Sequence, residues 1–557
     1  MSVTTISPPQ PVNAGKPQTS SHLNVAQFII EQLRVWGVKT IYGVIGDATL
    51  FLLDELAKQN HIRYVPCRHE GAAALMASSE AKLTGRVAVC LATSGPGAAN
   101  LLNGLADAYM DKAPVLVITG QVETGKIGTH AKQYVNQQLL LGTVCASSEL
   151  LVSPDALPEL LQTSLTMSLV QGTVTHISIP KNMYHAPVKG TVAPYGAHLS
   201  QRLLSPPEVV AQAASLLAGA ERPVMMIGGG AAQAAEPIKQ LAESLGAAVV
   251  TSYPARPLFP NDHELYAGGL GQGGSEASST LLAESDLIAI LGATWWPDEY
   301  TPARARIVQF DMSPAHIGVG HGLELGVVGD LTDIVPQLLH KAGLDKKDRS
   351  GWRARIAEVC GDWKKRIERE AGQMSSPLAP QHIVSCLSRL IAEDAIVCVD
   401  TGDHTLWFNR IFQAKRQQVL LSGRWRTLGF ALPAAIAAQL EYPQRQVIAI
   451  AGDGGAVQTI MEFQTAVETG APIVMLIFNN GSYAMEKNRM QLAGLQPLGS
   501  SIRNPDFAKL AEACGGVGMK ATTPQELEQA LTHVLSLRKP AIVEIATADT
   551  LVPHTKI

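Results

Sequence analysis

QVIAIAGDGGAVQTIMEFQTAVETGAPIVMLIFNNGS, residues 446–482, carries the decisive pattern of this chain. An apolar run, Gln446 to Ala451, meets the turn Gly452-Asp453-Gly454-Gly455. A helical stretch from Ala456 to Glu468 follows, then a second apolar run, Ile473 to Phe478, that ends at Asn479-Asn480-Gly481-Ser482. Strand, turn, helix and strand joined this tightly predict parallel neighbours in a helix-covered sheet. The turn also suggests chemistry. Its glycines let the backbone approach a phosphate, and the helix N-terminus behind them favours negative charge. Asp453 would repel that phosphate unless a cation lay between them. The Asp453 carboxylate, the Asn480 amide oxygen and a backbone oxygen at Ser482 are the hard donors that Mg²⁺ takes, with diphosphate oxygens completing its shell. Taken alone, Gly-Asp-Gly-Gly also suits an ordinary strand-to-helix turn.

The same alternation extends outward in both directions. Upstream, Val25, Phe28, Ile29 and Leu33 recur at helical spacing before Gly37. Strands are expected at Thr40 to Val44, Arg63 to Cys67, Val87 to Ala92 and Pro114 to Thr119. Gly46-Asp47, His69-Glu70 and Ser94-Gly95-Pro96-Gly97 lie at the heads of the intervening helices. A middle segment from Pro206 to about Leu344 opens with a strand, Pro223 to Ile227, and Gly228-Gly229-Gly230. A third runs from Pro380 and adds the strand Ala395 to Val399. Ala471-Pro472-Ile473-Val474-Met475-Leu476 echoes Ala113-Pro114-Val115-Leu116-Val117-Ile118, which hints at two related domains separated by a third. The expected fold class is α/β, with three doubly wound parallel-sheet domains at 22–190, 205–345 and 375–557. The connections near 186–204 and 346–378 are polar or charged, without strand character.

Composition narrows the function. With 557 residues, 46% hydrophobic and 17% charged, the chain can bury several cores, and disorder is excluded for most of it. Its 44 basic and 48 acidic residues leave a net charge of −4, which gives no basic footprint for nucleic acid or an anionic membrane. No apolar run approaches the roughly 18 residues of a membrane span. Seven scattered cysteines form no C-x-x-C pair, so neither a zinc site nor a disulfide framework is expected, and the reducing cytoplasm is the natural compartment. Residues 1–21 lack both the apolar core of a signal peptide and the arginines of a transit peptide, and read as a disordered tail.

Gly-Asp-Gly followed some two dozen residues later by Asn-Asn resembles the thiamin diphosphate fingerprint. From residue 22 onward the chain resembles the superfamily of acetolactate synthase, pyruvate oxidase and pyruvate decarboxylase. That resemblance implies a pyrimidine-binding, a central and a diphosphate-binding domain, Mg²⁺ as the metal, and a 2-oxo acid, pyruvate by default, as the small-molecule substrate. It also implies a homodimer or homotetramer with each site built between two chains. Arg68-His69-Glu70-Gly71-Ala72 matches the glutamate that bonds the pyrimidine ring and favours the imino tautomer, through which the thiazolium loses its proton. Leu428, in Arg426-Thr427-Leu428-Gly429-Phe430, matches the bulky residue that folds the two cofactor rings together; an ordinary core leucine is the alternative. Gly402-Asp403-His404 matches a loop contacting the diphosphate beside Gly452, Gly454 and Gly455, and equally suits a simple turn. Ser94 matches the turn near the pyrimidine or serves as a helix N-cap, and Gln133 falls where synthases and oxidases carry an active-site glutamine.

The members differ in how they trap the enamine left after carbon dioxide departs: as an aldehyde, as an acetohydroxy acid, or by flavin and phosphate as an acyl phosphate. Asp47 and Glu486 align with the two acids of decarboxylases and favour aldehyde release; a helix N-cap and a solvated helix residue are the plainer readings. Against it, Gln137-Gln138 stands where decarboxylases carry paired histidines. Gly292-Ala293-Thr294-Trp295-Trp296-Pro297-Asp298 lacks the arginines by which synthases contact flavin, so FAD binding stays open. A noncatalytic relative is the remaining alternative, disfavoured by intact Glu70, Asp453 and Asn480.

Overall fold

The computed structural model describes residues 23–194, 203–293, 300, 305–320, 322–342, 347–553 and 555. The N-terminal tail and the Thr294-to-Asp298 part of the flavin motif lie outside the described residues. Three six-stranded parallel sheets follow one another along the chain. In the first, the spatial order is Arg63–Pro66, Thr40–Gly43, Ala88–Ala92, Val115–Gln121, Val174–Pro180, Ser147–Leu150; in chain order that is 2-1-3-4-6-5. The third sheet repeats it with Gln418–Leu421, Ile396–Val399, Val447–Gly452, Val474–Asn479, Ala541–Ala546 and Val517–Ala521. The two stretches that echo each other in sequence thus enter the fourth strand of each sheet. The middle sheet differs. Its strands, Tyr266–Gly269, Ala248–Thr251, Pro223–Ile227, Leu287–Leu291, Arg306–Asp311 and Leu325–Val328, follow the order 3-2-1-4-5-6 of dinucleotide-binding folds.

Central strands such as Ala88–Ala92 and Leu287–Leu291 are buried along their whole length, as strands covered on both faces must be. One apolar core runs without a break from Tyr42, Ala74 and Val117 to Phe430, Ala435 and Ile477, joining the first and third domains. The helices Glu70–Thr84 and Ala431–Glu441 pack together at its centre. The middle domain keeps a core of its own around Val224, Val249, Ile290 and Phe310. Among the described residues no helix is long and apolar enough to cross a membrane.

Several local expectations change. The connection near 346–378 holds the 22-residue helix Ser350–Ala371, polar over most of its surface and anchored by buried Trp352 and Ile356. The helix after Val447–Gly452 starts at Asp453, not Ala456, and a 3-10 turn, Ile460–Glu462, separates Asp453–Thr459 from Phe463–Glu468. Asp47 opens a 3-10 turn rather than capping an α-helix with its side chain. Gly95, at φ 64°, and not Ser94, occupies the N-cap position, since the chain must turn left-handed before Pro96.

Candidate active site

The C-terminal ends of the third sheet's strands gather one half of the site. Asp453, the first residue of its helix, is buried. Its Oδ1 accepts from Gly454 N at 3.0 Å and its Oδ2 from Gly481 N at 2.7 Å and Asn504 Nδ2 at 2.7 Å. The Gly481 contact ties the Gly-Asp-Gly-Gly turn directly to Asn480. Asn480 Oδ1 accepts from Ser482 N and Ser482 Oγ, both at 3.1 Å. Burial raises the Asp453 carboxyl, and hydrogen bonds from Asn504, Gly454 and Gly481 hold that rise in check.

No side chain could replace the glycines here without displacing a neighbour. A Cβ on Gly454 would lie 2.4 Å from the Tyr483 ring, and one on Gly455 would lie 3.2 Å from the Asp400 carboxyl. His404 closes the cradle from the other side, its ring 2.6 Å from where a Gly402 Cβ would sit and 3.1 Å from that of Gly452. Burial lowers the His404 pKa to about 4, so the ring is neutral near pH 7. Beside it, burial and then the charge of Asp549 push Asp403 up to about 7.

Asp400, also pushed up to about 7 by burial, accepts from Gly429 N through both oxygens (3.1 and 3.0 Å). It thereby fixes the turn that carries Leu428 against the glycine cradle, and Thr459 Oγ1 donates to Gly429 O from the same side. Leu428 is half-buried, which sets it apart from the core leucines. The N-terminal domain holds the other flank of this turn: Asp111 accepts from Gly423 N (2.7 Å) and Arg424 N (2.8 Å), and Asn103 from Trp425 Nε1.

The second half gathers at the strand ends of the first sheet. Glu70 heads a helix whose N-cap is His69, the His69 Nδ1 accepting from Gly71 N at 3.0 Å. The carboxyl is buried; Asn100 Nδ2 donates to Oε2 at 2.9 Å, and a Cβ on Gly97 would lie 3.3 Å from Oε1. The Ser94-Gly95-Pro96-Gly97 turn therefore lies over Glu70, with Ser94 buried. Gln133 joins them, at φ 63°, its backbone against Gly95.

Three family models match in order: the N-terminal thiamine pyrophosphate binding domain over residues 23–140, the central domain over 210–338 and the C-terminal binding domain over 400–545. A putative thiamine pyrophosphate-containing protein of Bacillus subtilis is 32% identical over 94% of this chain and 92% of its own length. The chain belongs to the thiamine pyrophosphate enzyme family. This family's cofactor is thiamin diphosphate under its other name. An acetolactate synthase large subunit of Corynebacterium glutamicum is 30% identical over 96% of this chain and 88% of its own. A pyruvate oxidase of Lactiplantibacillus plantarum is 27% identical over 95% and 89%.

The donor set fits the thiamine pyrophosphate enzyme's cofactor. Asp453, Asn480 and Ser482 offer carboxylate, amide and hydroxyl or carbonyl oxygens on two clamped loops, and buried Asn504 Oδ1 has no partner of its own. Asp47 and Glu486 both lie at the surface of the single chain. Asp47 pairs with Lys181 at 2.6 Å with its side chain 71% exposed, and Glu486 pairs with Arg489 at 3.0 Å, 63% exposed. Each charge is met by a cation at the surface. Gln137 is structural, donating through Nε2 to Gly120 O beneath the sheet. Sequence reasoning missed Asn100, Asp400, Asn504 and Glu462, all polar residues whose partners lie far along the chain.

Proposed function

We propose that this chain decarboxylates a 2-oxo acid, pyruvate by default, and ligates the remaining acyl unit to a second 2-oxo acid. The 2.7 Å bond from Gly481 N to Asp453 supports this reading most, because it unites the two loops that would hold a metal-bound diphosphate. Bound thiamin diphosphate would supply the electron sink that lets the carboxylate leave as carbon dioxide. Asp453, Asn480 and Ser482 would hold Mg²⁺ and, through it, the diphosphate, whose other flank would meet Gly402, Gly452 and neutral His404. Glu70 would share a proton with the pyrimidine ring, oriented by Asn100, and Leu428 would support the bend between the cofactor rings. Asp47 and Glu486 would assist protonation only where a second copy covers them. Carboligation therefore ranks above aldehyde release, in keeping with the named acetolactate synthase relative.

The contacts of Glu70 come from its own domain and those of Asp453 from its own. We infer a site completed between two copies of the chain, a homodimer or a pair of dimers. Seven unpaired cysteines, five of them buried, suit a reducing cytoplasm. A second reading, flavin-dependent oxidation, is favoured by the 3-2-1-4-5-6 order of the central sheet. At its switch point Gly230 N donates to Gly292 O at 3.0 Å, and the two glycine loops pack directly on each other. Incubation with thiamin diphosphate, Mg²⁺ and a panel of 2-oxo acids, with and without FAD and phosphate, tests both. Acetohydroxy acid as the main product supports the first reading; acetyl phosphate with a bound yellow flavin supports the second; no carbon dioxide release refutes both.

A further inference from the structure

Glu462 is a buried carboxylate that the cofactor loops do not use. It sits in the 3-10 turn Ile460–Glu462, between the helix that begins with Asp453 and the helix Phe463–Glu468. Its Oε1 crosses to the N-terminal domain and accepts from Arg68 N at 2.8 Å and His69 N at 3.0 Å; its Oε2 accepts from Thr465 Oγ1 at 2.7 Å. Those two amides immediately precede Glu70, and His69 caps the helix that Glu70 begins. The Arg68 side chain pairs with Glu468, so the segment is held from the same stretch at a second point. A carboxylate accepting from two successive amides fixes both peptide planes, and charge-assisted bonds of this kind are the stronger ones. Domain attachment alone gives no reason for a buried charge here. The continuous apolar core and the packed Glu70–Thr84 and Ala431–Glu441 helices already join the domains.

We propose that Glu462 is a positioning residue for Glu70, clasping the Arg68-His69 backbone so that the Glu70 carboxyl is held at one angle toward the cofactor's pyrimidine ring. The proposal rests on the reading of Glu70 as the proton-sharing group. It assigns to the diphosphate-binding domain a direct hand in setting the acid of the pyrimidine-binding domain.

The test compares Glu462→Gln, Glu462→Asp, Glu70→Gln and a control, Glu441→Gln. Glu441 also crosses the boundary, to Lys39 and Arg86, but at the far end of the helix. Amide hydrogen exchange by mass spectrometry reads the 63–76 segment without cofactor, and NMR reads loss of the thiazolium proton with thiamin diphosphate and Mg²⁺ bound. Glu462→Gln should speed exchange at Arg68 and His69 about tenfold or more, leave cofactor affinity within about threefold and slow thiazolium exchange about tenfold. Glu462→Asp, which keeps the charge with a shorter reach, should fall between Gln and parent, and it serves alone if the Gln variant does not fold. Glu441→Gln should leave thiazolium exchange within about twofold. Loosened amides with parent-like thiazolium exchange, or an equal slowing in Glu441→Gln, would overturn the proposal while leaving Glu70 in place. Parent-like exchange in Glu70→Gln would remove the reading of Glu70, and the proposal with it.

Discussion

The first and third domains share one strand order, and on the proposed reading they would divide the chemistry between them. In each, the loops that matter leave the C-terminal ends of corresponding strands. After the third strand one domain has Ser94-Gly95-Pro96-Gly97 and the other Gly452-Asp453-Gly454-Gly455. The last glycine of each lies against a buried carboxyl, Gly97 against Glu70 and Gly455 against Asp400. After the second strand one domain carries Glu70 and the other Leu428. The clasps are reciprocal too: Glu462 holds the amides before Glu70, and Asp111 holds the amides before Leu428. On the proposed reading, a common scaffold would take opposite tasks, proton sharing in one copy and anion and metal binding in the other, through a few side chains at equivalent strand ends.

Perturbing the two halves should give different failures. The largest effect is expected from Asp453→Ala. It would remove the one charged donor of the proposed metal site, so thiamin diphosphate affinity should fall on the order of 10³-fold by fluorescence titration, with only partial recovery in excess Mg²⁺. Tight binding without metal would show the halves wrongly assigned. Glu70→Gln should instead leave affinity nearly intact and slow thiazolium proton exchange on the order of 10²-fold or more.

The buried carboxyls of the two domains differ in support, which sharpens the contrast. Asp400 accepts from the Thr401 and Gly429 amides, whereas Glu80 accepts from the Tyr42 hydroxyl at 2.7 Å. Burial pushes Glu80 up to about 7, well above the ordinary glutamate range. The folded chain therefore keeps a proton that the unfolded chain gives up, and stability is lost as pH rises through that window. Glu80→Gln should unfold later than the parent in urea at pH 8, by up to about 3 kcal/mol, with the advantage vanishing below pH 4.5. An advantage independent of pH would contradict this. The smallest effect is expected from Asp47→Asn, whose partner is a surface lysine: the aldehyde share of products should change by less than about twofold. A larger change would restore the proton relay.

Much of this was legible in the sequence, for identifiable reasons. The alternation of apolar runs with glycine-headed helices gave three α/β units because buried parallel strands must be apolar throughout. Asp453 and Asn480 stood out because a lone acid in a phosphate turn asks for a metal. Glu462, Asn504 and Asp400 were invisible, since each acts on residues 25 or more positions away and none disturbs the local pattern. The helix Ser350–Ala371 went unread because its apolar anchors, Trp352 and Ile356, are too few to mark a face. Asp47 and Glu486 stood out only through the resemblance to decarboxylases, and within the single chain each meets a nearby cation.

The division of one site between the two domain types, brought together from separate chains, is tested most directly by complementation. Purified Glu70→Gln and Asp453→Ala proteins, each inactive alone, are unfolded gently, mixed in equal amounts and reassembled with thiamin diphosphate and Mg²⁺. Random pairing leaves one intact Glu70–Asp453 site in each hybrid dimer, so carbon dioxide release from pyruvate should recover to about a quarter of the parent's. Recovery no greater than that of either variant reassembled alone would contradict the account.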